Sequence, residues 1–441
     1  MITEDATRSL AEHCDNIARG SLANEVERRA RHCVLDHLAC AHVGATLGHV
    51  QPHYAVMASI AGIPEAMTAD GKRRPAVLAA YLNGAAANGL DYDDMLRGHP
   101  GAPIVAAALA AGERADATLE RLLKAVAVGY EAHWLLTTAA NPSSGRLSQV
   151  RGSGAFEAIA ASLAAAVITD SSPDRLRRVM GVAATHSTVP FVGKWYERPV
   201  PTVKNNAGWS AAAGILAVDL VDAGAGGILD ALDGPSGFWR MAGSDRWLWE
   251  EAFAEVTEPA VLRTGFKRFP ACWHTQQYLL ALETGLGDLP HERSVHHIQI
   301  QGPPDLQKFA ETQVLGPADV AFSIRTLSAM LVLGVEPGPA WVSPQSLEAA
   351  AHMMHRIEVT VGQDRQIRLT LDNGHVMCLP VREDDHSRPH DFGLSEQEVR
   401  NKFDRLLTPK MRAEDRDKLQ RSIIGGSPLL QIAELVDHLR A

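Results

Sequence analysis

Asn83-Gly-Ala-Ala-Ala-Asn-Gly-Leu-Asp-Tyr-Asp-Asp-Met-Leu-Arg-Gly-His-Pro-Gly-Ala-Pro103 opens as an alanine-rich helix, sets three aspartates around Tyr92, and passes Arg97 and His99 before Pro100. A second helix, Ile104 to Ala111, is expected at once. Helices this poor in large side chains pack closely and lie inside a protein. A polar loop at their junction is therefore either hydrogen-bonded throughout or faces a cavity. Acidic, basic and imidazole groups crowded into eight or so residues favour the cavity.

Outward from that loop, the periodicity is helical from Thr7 to about Pro259. Val26–Val43, Leu119–Ala139, Phe156–Val167 and Ala207–Val221 each carry apolar residues three and four apart. Glycine and proline separate them, as at Asn141-Pro142 and Gly234-Pro235. After about residue 265 the pattern changes. Ser294–Gln301 and His355–Val361 alternate like strands, and Ile367–Val381 reads as a hairpin with Asn373-Gly374 as a two-residue type I′ turn. Helices are expected between these strands at Asp319–Gly334 and Ser343–Met353. Ser395-x-x-Glu398 is a capping box before a helix at Val399–Leu407, and a last amphipathic helix is expected over Leu429–Leu439. The fold class expected is mainly α. A large helical domain takes residues 1–265 and 393–441, and a smaller α+β lid is inserted over 266–392.

The totals narrow the function. A chain of 441 residues with 46% hydrophobic and 21% charged residues can bury a substantial core. A net charge of -10 argues against nucleic acid or an anionic membrane as partner. The start of the chain has neither a basic nor an apolar leader region, and no apolar run approaches the ~20 residues of a membrane span. Cys14, Cys33, Cys40, Cys272 and Cys378 are odd in number and form no C-x-x-C pair, which suits a cytoplasmic location and argues against a metal site.

Several motifs are structural by default. Ala223-Gly-Ala-Gly-Gly227 lacks the last glycine of a dinucleotide fingerprint and follows a helix. His352 with His355, and His296 with His297, lack a convergent carboxylate or thiol. An isolated D-x-D-D is as often a capped helix end as a site. Arg97, Gly98 and His99 close by tip Asp91, Asp93 and Asp94 toward a site, since a carboxylate orients an imidazole and fixes its tautomer. Lys204, in Thr202-Val-Lys-Asn-Asn-Ala-Gly208, and Lys267, in Phe266-Lys-Arg-Phe-Pro-Ala-Cys-Trp-His274, sit among aromatic, proline and glycine residues. That is unusual company for a solvating lysine. Such a lysine can hold a carboxylate or, partly desolvated, exchange a proton.

Taken together, N-G-x-x-A-x-x-L-D-Y-D-D, G-H-P-G-A-P, T-V-K-x-x-A-G and F-K-x-F-P-A-C-x-H resemble the MmgE/PrpD family in order and spacing over most of the chain. Its best-known members are 2-methylcitrate dehydratase, cis-aconitate decarboxylase and iminodisuccinate epimerase. The resemblance implies a homodimer and a site without cofactor in the cleft between the two domains. The shared chemistry removes a proton or a carboxylate from a carbon next to a carboxylate. It places the family's aspartate on Asp91, its histidine on His99 and its two lysines on Lys204 and Lys267. Four positions depart from the family pattern. Met95 stands where threonine is usual, Arg151 stands near a usual histidine, Asn206 replaces a histidine, and Thr326 stands in place of a tyrosine.

The expected activity is thus a cofactor-independent lyase on a small di- or tricarboxylate, similar to 2-methylcitrate dehydratase. Asp91, His99, Lys204 and Lys267 are its catalytic candidates, and Arg97, Arg151 and Arg268 its carboxylate-binding candidates, with His99 oriented by Asp91. Two alternatives stand beside it. One is an epimerase of an iminodisuccinate-like dicarboxylate, suggested by the departures. The other is a dimer that binds a carboxylate without turning it over.

Overall fold

The structure, a computed structural model, describes residues 5–147, 149–150, 154–187, 197–200, 206–289, 294–311, 313–383, 385 and 387–440. It is mainly α-helical, and no described helix is long and apolar enough to cross a membrane.

Four alanine-rich helices make its centre: Ala76–Ala87, Gly101–Arg114, Glu157–Val167 and Ala207–Asp222, with the longer Leu119–Ala139 against them. The small side chains let backbones touch. A Cβ placed on Gly208 would stand 2.5 Å from the Tyr81 carbonyl oxygen, and one on Gly84 would stand 2.9 Å from that of Ala207. The Ala76 and Ala207 helices therefore meet glycine to backbone in both directions. Around this centre lie Ala6–Arg19 and Asn24–Gly44 from the start of the chain. Glu396–Leu407 and Ala413–Ile424, from its end, pack on the Asn24 helix.

The sheet has four strands, in the order Ile357–Val361, Val295–Gly302, Gln366–Leu371, Val376–Pro380. The first pair is parallel and the other two are antiparallel. Ile298 faces Ile357 and Leu369, and Ile300 faces Val359 and Ile367. All six are buried, so one face of the sheet supplies a core as the alternation requires. The parallel pair needs a crossover, and it contains Ile324–Val332 and Pro344–Met354.

Three local expectations are corrected. The hairpin turn is not type I′, which needs two residues with positive φ. Only Gly374 is left-handed (φ 81°), and Leu371 pairs with His375 across a three-residue loop. The helix expected over Asp319–Gly334 is broken, because Ser323 stops the short 3-10 turn Pro317–Phe322 and caps Ile324–Val332 by accepting from the Thr326 amide at 3.3 Å. The last helix is only Ile432–Asp437; Leu430 lies before it, with its carbonyl accepting from the Leu119 amide at 2.7 Å. The capping box at Ser395 and Glu398 forms as expected, and all five cysteines are free.

Buried apolar side chains fall into two clusters. The larger draws on residues 6–266 and again on 394–439; the smaller draws on Val200 and on 269–381. The changeover falls between Phe266 and Phe269, which brackets Lys267 and Arg268. Met95 and Gly265 exchange both backbone hydrogen bonds there, at 2.8 and 2.9 Å, and bind the aspartate loop to the seam.

Gly208→Ala is expected to destabilise the protein by about 1–3 kcal/mol, the usual cost of overpacking, because the obstacle is backbone. Urea unfolding of the variant checks this, and an unchanged midpoint would mean that the two helices do not meet as described.

Candidate functional site

The loop between the Ala76 and Gly101 helices is held in a conformation that ordinary side chains avoid. Asp91 has φ 53°, Arg97 φ 52° and Gly98 φ 151°. Aspartate tolerates the left-handed region better than most residues. Lys267 explains why it persists at Asp91. Its ammonium donates to the Asp91 carbonyl oxygen at 2.6 Å and to Asp91 Oδ1 at 2.8 Å, gripping backbone and side chain together. Lys267 is fully buried (0%) and Asp91 nearly so (4%).

His99 completes the cluster. Nδ1 lies 3.2 Å from both oxygens of Asp93, and Nε2 lies 3.4 Å from Asp91 Oδ1. Asn88 donates to Asp93 Oδ1 at 2.9 Å. The orienting carboxylate of His99 is therefore Asp93, with Asp91 at the far side of the ring. The nearer carboxylate, at Nδ1, favours the proton on that nitrogen, while Nε2 faces Asp91. Burial pulls the His99 pKa down to about 4, helped by the Lys267 charge and opposed by Asp93 and Asp91. Burial pushes Asp93 up, but His99 and Lys267 outweigh it, and the carboxyl lies below its ordinary value. At neutral pH the imidazole is neutral, and the Lys267 charge with the Asn88 hydrogen bond then favours the ionised form of Asp93.

Its neighbour Asp94 is in the opposite state. The side chain points into the helical core, accepts from the Gly101 amide at 2.9 Å and from the Tyr130 hydroxyl, and so caps the Gly101 helix. Burial, with Asp36 and Asp93 adding to it, raises its pKa from 3.8 to about 8.

A small cavity of about 30 Å³ touches this cluster. Its walls include His49, Asn88, Asp91 and Pro270, together with Val200, Ala321 and Phe322 of the smaller cluster. Among the described residues it is Asn88 and Asp91 that bring the polar cluster to the cavity, with His99 and Lys267 behind them. His49 was not singled out in the sequence, and nothing in its spacing could have done so. Its Nε2 stands 2.8 Å from the Gly89 carbonyl, which can only accept, so Nε2 carries the proton. Burial lowers its pKa as well.

The other expected site residues are placed as follows. Asp91, His99 and Lys267 come together. Arg151 and Lys204 lie outside the described residues. Arg97 turns away: its guanidinium lies 5.5 Å from the Trp134 ring and donates to the Thr137 carbonyl at 3.4 Å. Arg268 forms an ion pair with Glu398 at the surface of the Glu396 helix. Arg97 and Arg268, two of the three arginines expected to bind carboxylate, thus make these contacts away from the cluster. Thr326 bonds Ser323 Oγ at 2.9 Å within the smaller cluster, and Asn206 (φ 54°) precedes the Ala207 helix.

One ligand atom each from Asp91, Asp93 and His99 lie within 4.8 Å of one another, the spacing of a metal site. Lys267 already holds Asp91 Oδ1, so a divalent ion there would face an ammonium across a shared ligand. The set fits proton transfer better than metal binding.

Fold and cluster together describe a helical protein with a buried lysine–carboxylate–imidazole centre at the seam of two cores. A sequence profile of the MmgE/PrpD N-terminal domain matches residues 8–248, more than half of the chain, and the protein belongs to that family. Members are generally enzymes, dehydratases and related. Asp91 and His99 lie within the match, while Lys267 lies beyond it. No curated protein matches the chain.

The Asp94 shift has a consequence for stability. The folded pKa lies above the unfolded one, so between about 4 and about 8 the native state binds more protons than the unfolded state. Stability is full below that window and falls as pH rises through it. Asparagine can keep both hydrogen bonds without titrating. Thermal melts of Asp94→Asn should fall less steeply than wild type from pH 5 to 8, and parallel curves would show that Asp94 is ionised throughout.

Proposed function

We propose that the protein is a cofactor-independent lyase that removes a proton next to a carboxylate on a small di- or tricarboxylate, as a 2-methylcitrate dehydratase does. The observation that carries this reading is the contact of Lys267 with Asp91, which lines the cavity, in front of a neutral His99 oriented by Asp93. Neutral His99 offers Nε2 as a base. Once protonated, the ring would be flanked by Asp93 on one nitrogen and Asp91 on the other, which stabilises the imidazolium. The Lys267 ammonium supplies positive charge for the enolate-like state that follows proton loss. Lys204, on the family resemblance, and Arg151, a departure from it, would bind the substrate's carboxylates; Arg97 and Arg268 are left out of that role.

A cavity of about 30 Å³ holds little more than a water molecule. On this reading the α+β unit over 266–392 acts as a lid, and the smaller cluster parts from the larger to admit substrate. A homodimer in the cytoplasm completes the reading, on the resemblance and on five free cysteines. The second reading is an epimerase. Thr326, buried and bonded to Ser323, stands where family members carry a tyrosine, and losing that acid would favour returning the proton over expelling a leaving group.

Proton NMR in D₂O with methylcitrate, citrate, cis-aconitate and iminodisuccinate separates these. A C–H signal lost with an alkene gained marks the lyase; deuterium entering without elimination marks the epimerase. No change with any of them would overturn both. His99→Ala and Lys267→Ala should each cost ~10²-fold or more in turnover, the scale of lost acid–base catalysis. Full activity in both would remove the cluster from the mechanism.

A further inference from the structure

Behind the Asp91–Lys267 contact lies a second buried lysine, from a part of the chain beyond the matched family domain. Lys402, on the Glu396–Leu407 helix, is 1% exposed. Its ammonium stands 2.7 Å from Asp36 Oδ1 and donates to the Tyr92 carbonyl at 2.6 Å, and it reaches the Lys267 carbonyl at 3.4 Å. The two carbonyls accept its hydrogen bonds, and the Asp36 carboxylate pairs with its charge. The charge also lies 3.9 Å from the centre of the Tyr92 ring. The same helix holds the far end of that ring. Arg405 donates to the Tyr92 hydroxyl at 2.6 Å, and the hydroxyl donates to the Arg268 carbonyl at 2.7 Å.

Two of the three acceptors are backbone atoms of the site. Tyr92 follows Asp91 in the chain, and Lys267 is the residue whose ammonium grips Asp91. One cation therefore ties together, from the rear, two segments far apart in the chain, at Tyr92 and Lys267. A buried ion pair made only for stability needs Asp36 alone.

We infer that Lys402 is a positioning residue of the candidate centre. It fixes the backbones of Tyr92 and Lys267 so that the Lys267 ammonium meets Asp91 in its left-handed conformation, and the C-terminal helix thereby becomes part of the site. Asp36, from the Asn24 helix, is its counter-charge. The kinetic side of this inference rests on the proposed lyase activity; the geometric side does not.

The test pairs Lys402→Met with the double variant Asp36→Asn/Lys402→Met. The single change leaves Asp36 buried without its cation, and the melting temperature should fall by roughly 5 °C or more. The double change leaves no buried charge and should restore most of that loss. Displaced site groups should nevertheless leave kcat down by about 10²-fold with KM little changed. The ¹³C-histidine NMR resonance of His99, assigned by its loss in His99→Ala, should move in the double variant. A stable double variant with wild-type kcat and an unmoved His99 signal would overturn the inference and leave Lys402 a core ion pair. If the wild-type protein turns over none of the four substrates, the lyase reading fails by itself and the His99 signal still decides: a shift supports positioning, its absence overturns it. Should the double variant not fold, Lys402→Arg carries the same comparison, since it keeps the charge but replaces a compact donor by a planar fork.

Discussion

The contact on which the rest depends is the ammonium of Lys267 against Asp91. Taking either charge out of water alone would cost several kcal/mol, so neither is stable in place without the other. The pair also sets geometry. Because Lys267 binds the Asp91 carbonyl as well as its carboxylate, it holds a residue in the left-handed region that would otherwise relax. His99 then meets two carboxylates at defined sides of its ring, and the backbone pairing of Met95 with Gly265 keeps the two segments in register.

Such a contact needs walls that do not yield. The alanine and glycine helices provide them, since backbone-to-backbone packing leaves no flexible side chain to absorb a shift. The buried pairs Lys267–Asp91 and Lys402–Asp36 set opposite charges 2.8 and 2.7 Å apart, while Asp93 lies against the imidazole of His99. The arrangement draws on the Asn24 helix, the aspartate loop, the seam at residue 267 and the C-terminal helix. A chain that leaves its first core at Phe266 and returns to it at Leu394 is what makes this convergence available.

Asp93 and Asp94 show how finely position divides chemistry. The two are adjacent, yet one is ionised beside an imidazole while the other is pushed toward the neutral form among Tyr130 and the Gly101 helix. Adjacent carboxylates with pKa values driven apart are a mark of sites that separate roles by environment. Asp93 serves the ring, and Asp94 anchors the loop to the helix that follows it.

By itself the sequence determined the helical class and the strand-bearing segment after residue 265, and it singled out Asp91, His99 and Lys267, which the structure brings together. These are written in local signals: alanine and glycine spacing, period-two alternation, and polar motifs crowded into a few residues. It did not determine which carboxylate orients His99, since Asp91 and Asp93 lie equally near in the chain. It pointed Arg97 and Arg268 at the site because they neighbour it in sequence, while the fold directs Arg97 to Trp134 and Arg268 to Glu398. The type I′ turn failed for a similar reason, as Asn-Gly fits both a two-residue and a three-residue loop until strand register chooses. Lys402 and His49 were illegible, because what distinguishes them is not their neighbours in sequence. Only the tertiary structure brings a lysine from residue 402 beneath residues 92 and 267, and burial decides that a charge there must be held by specific partners.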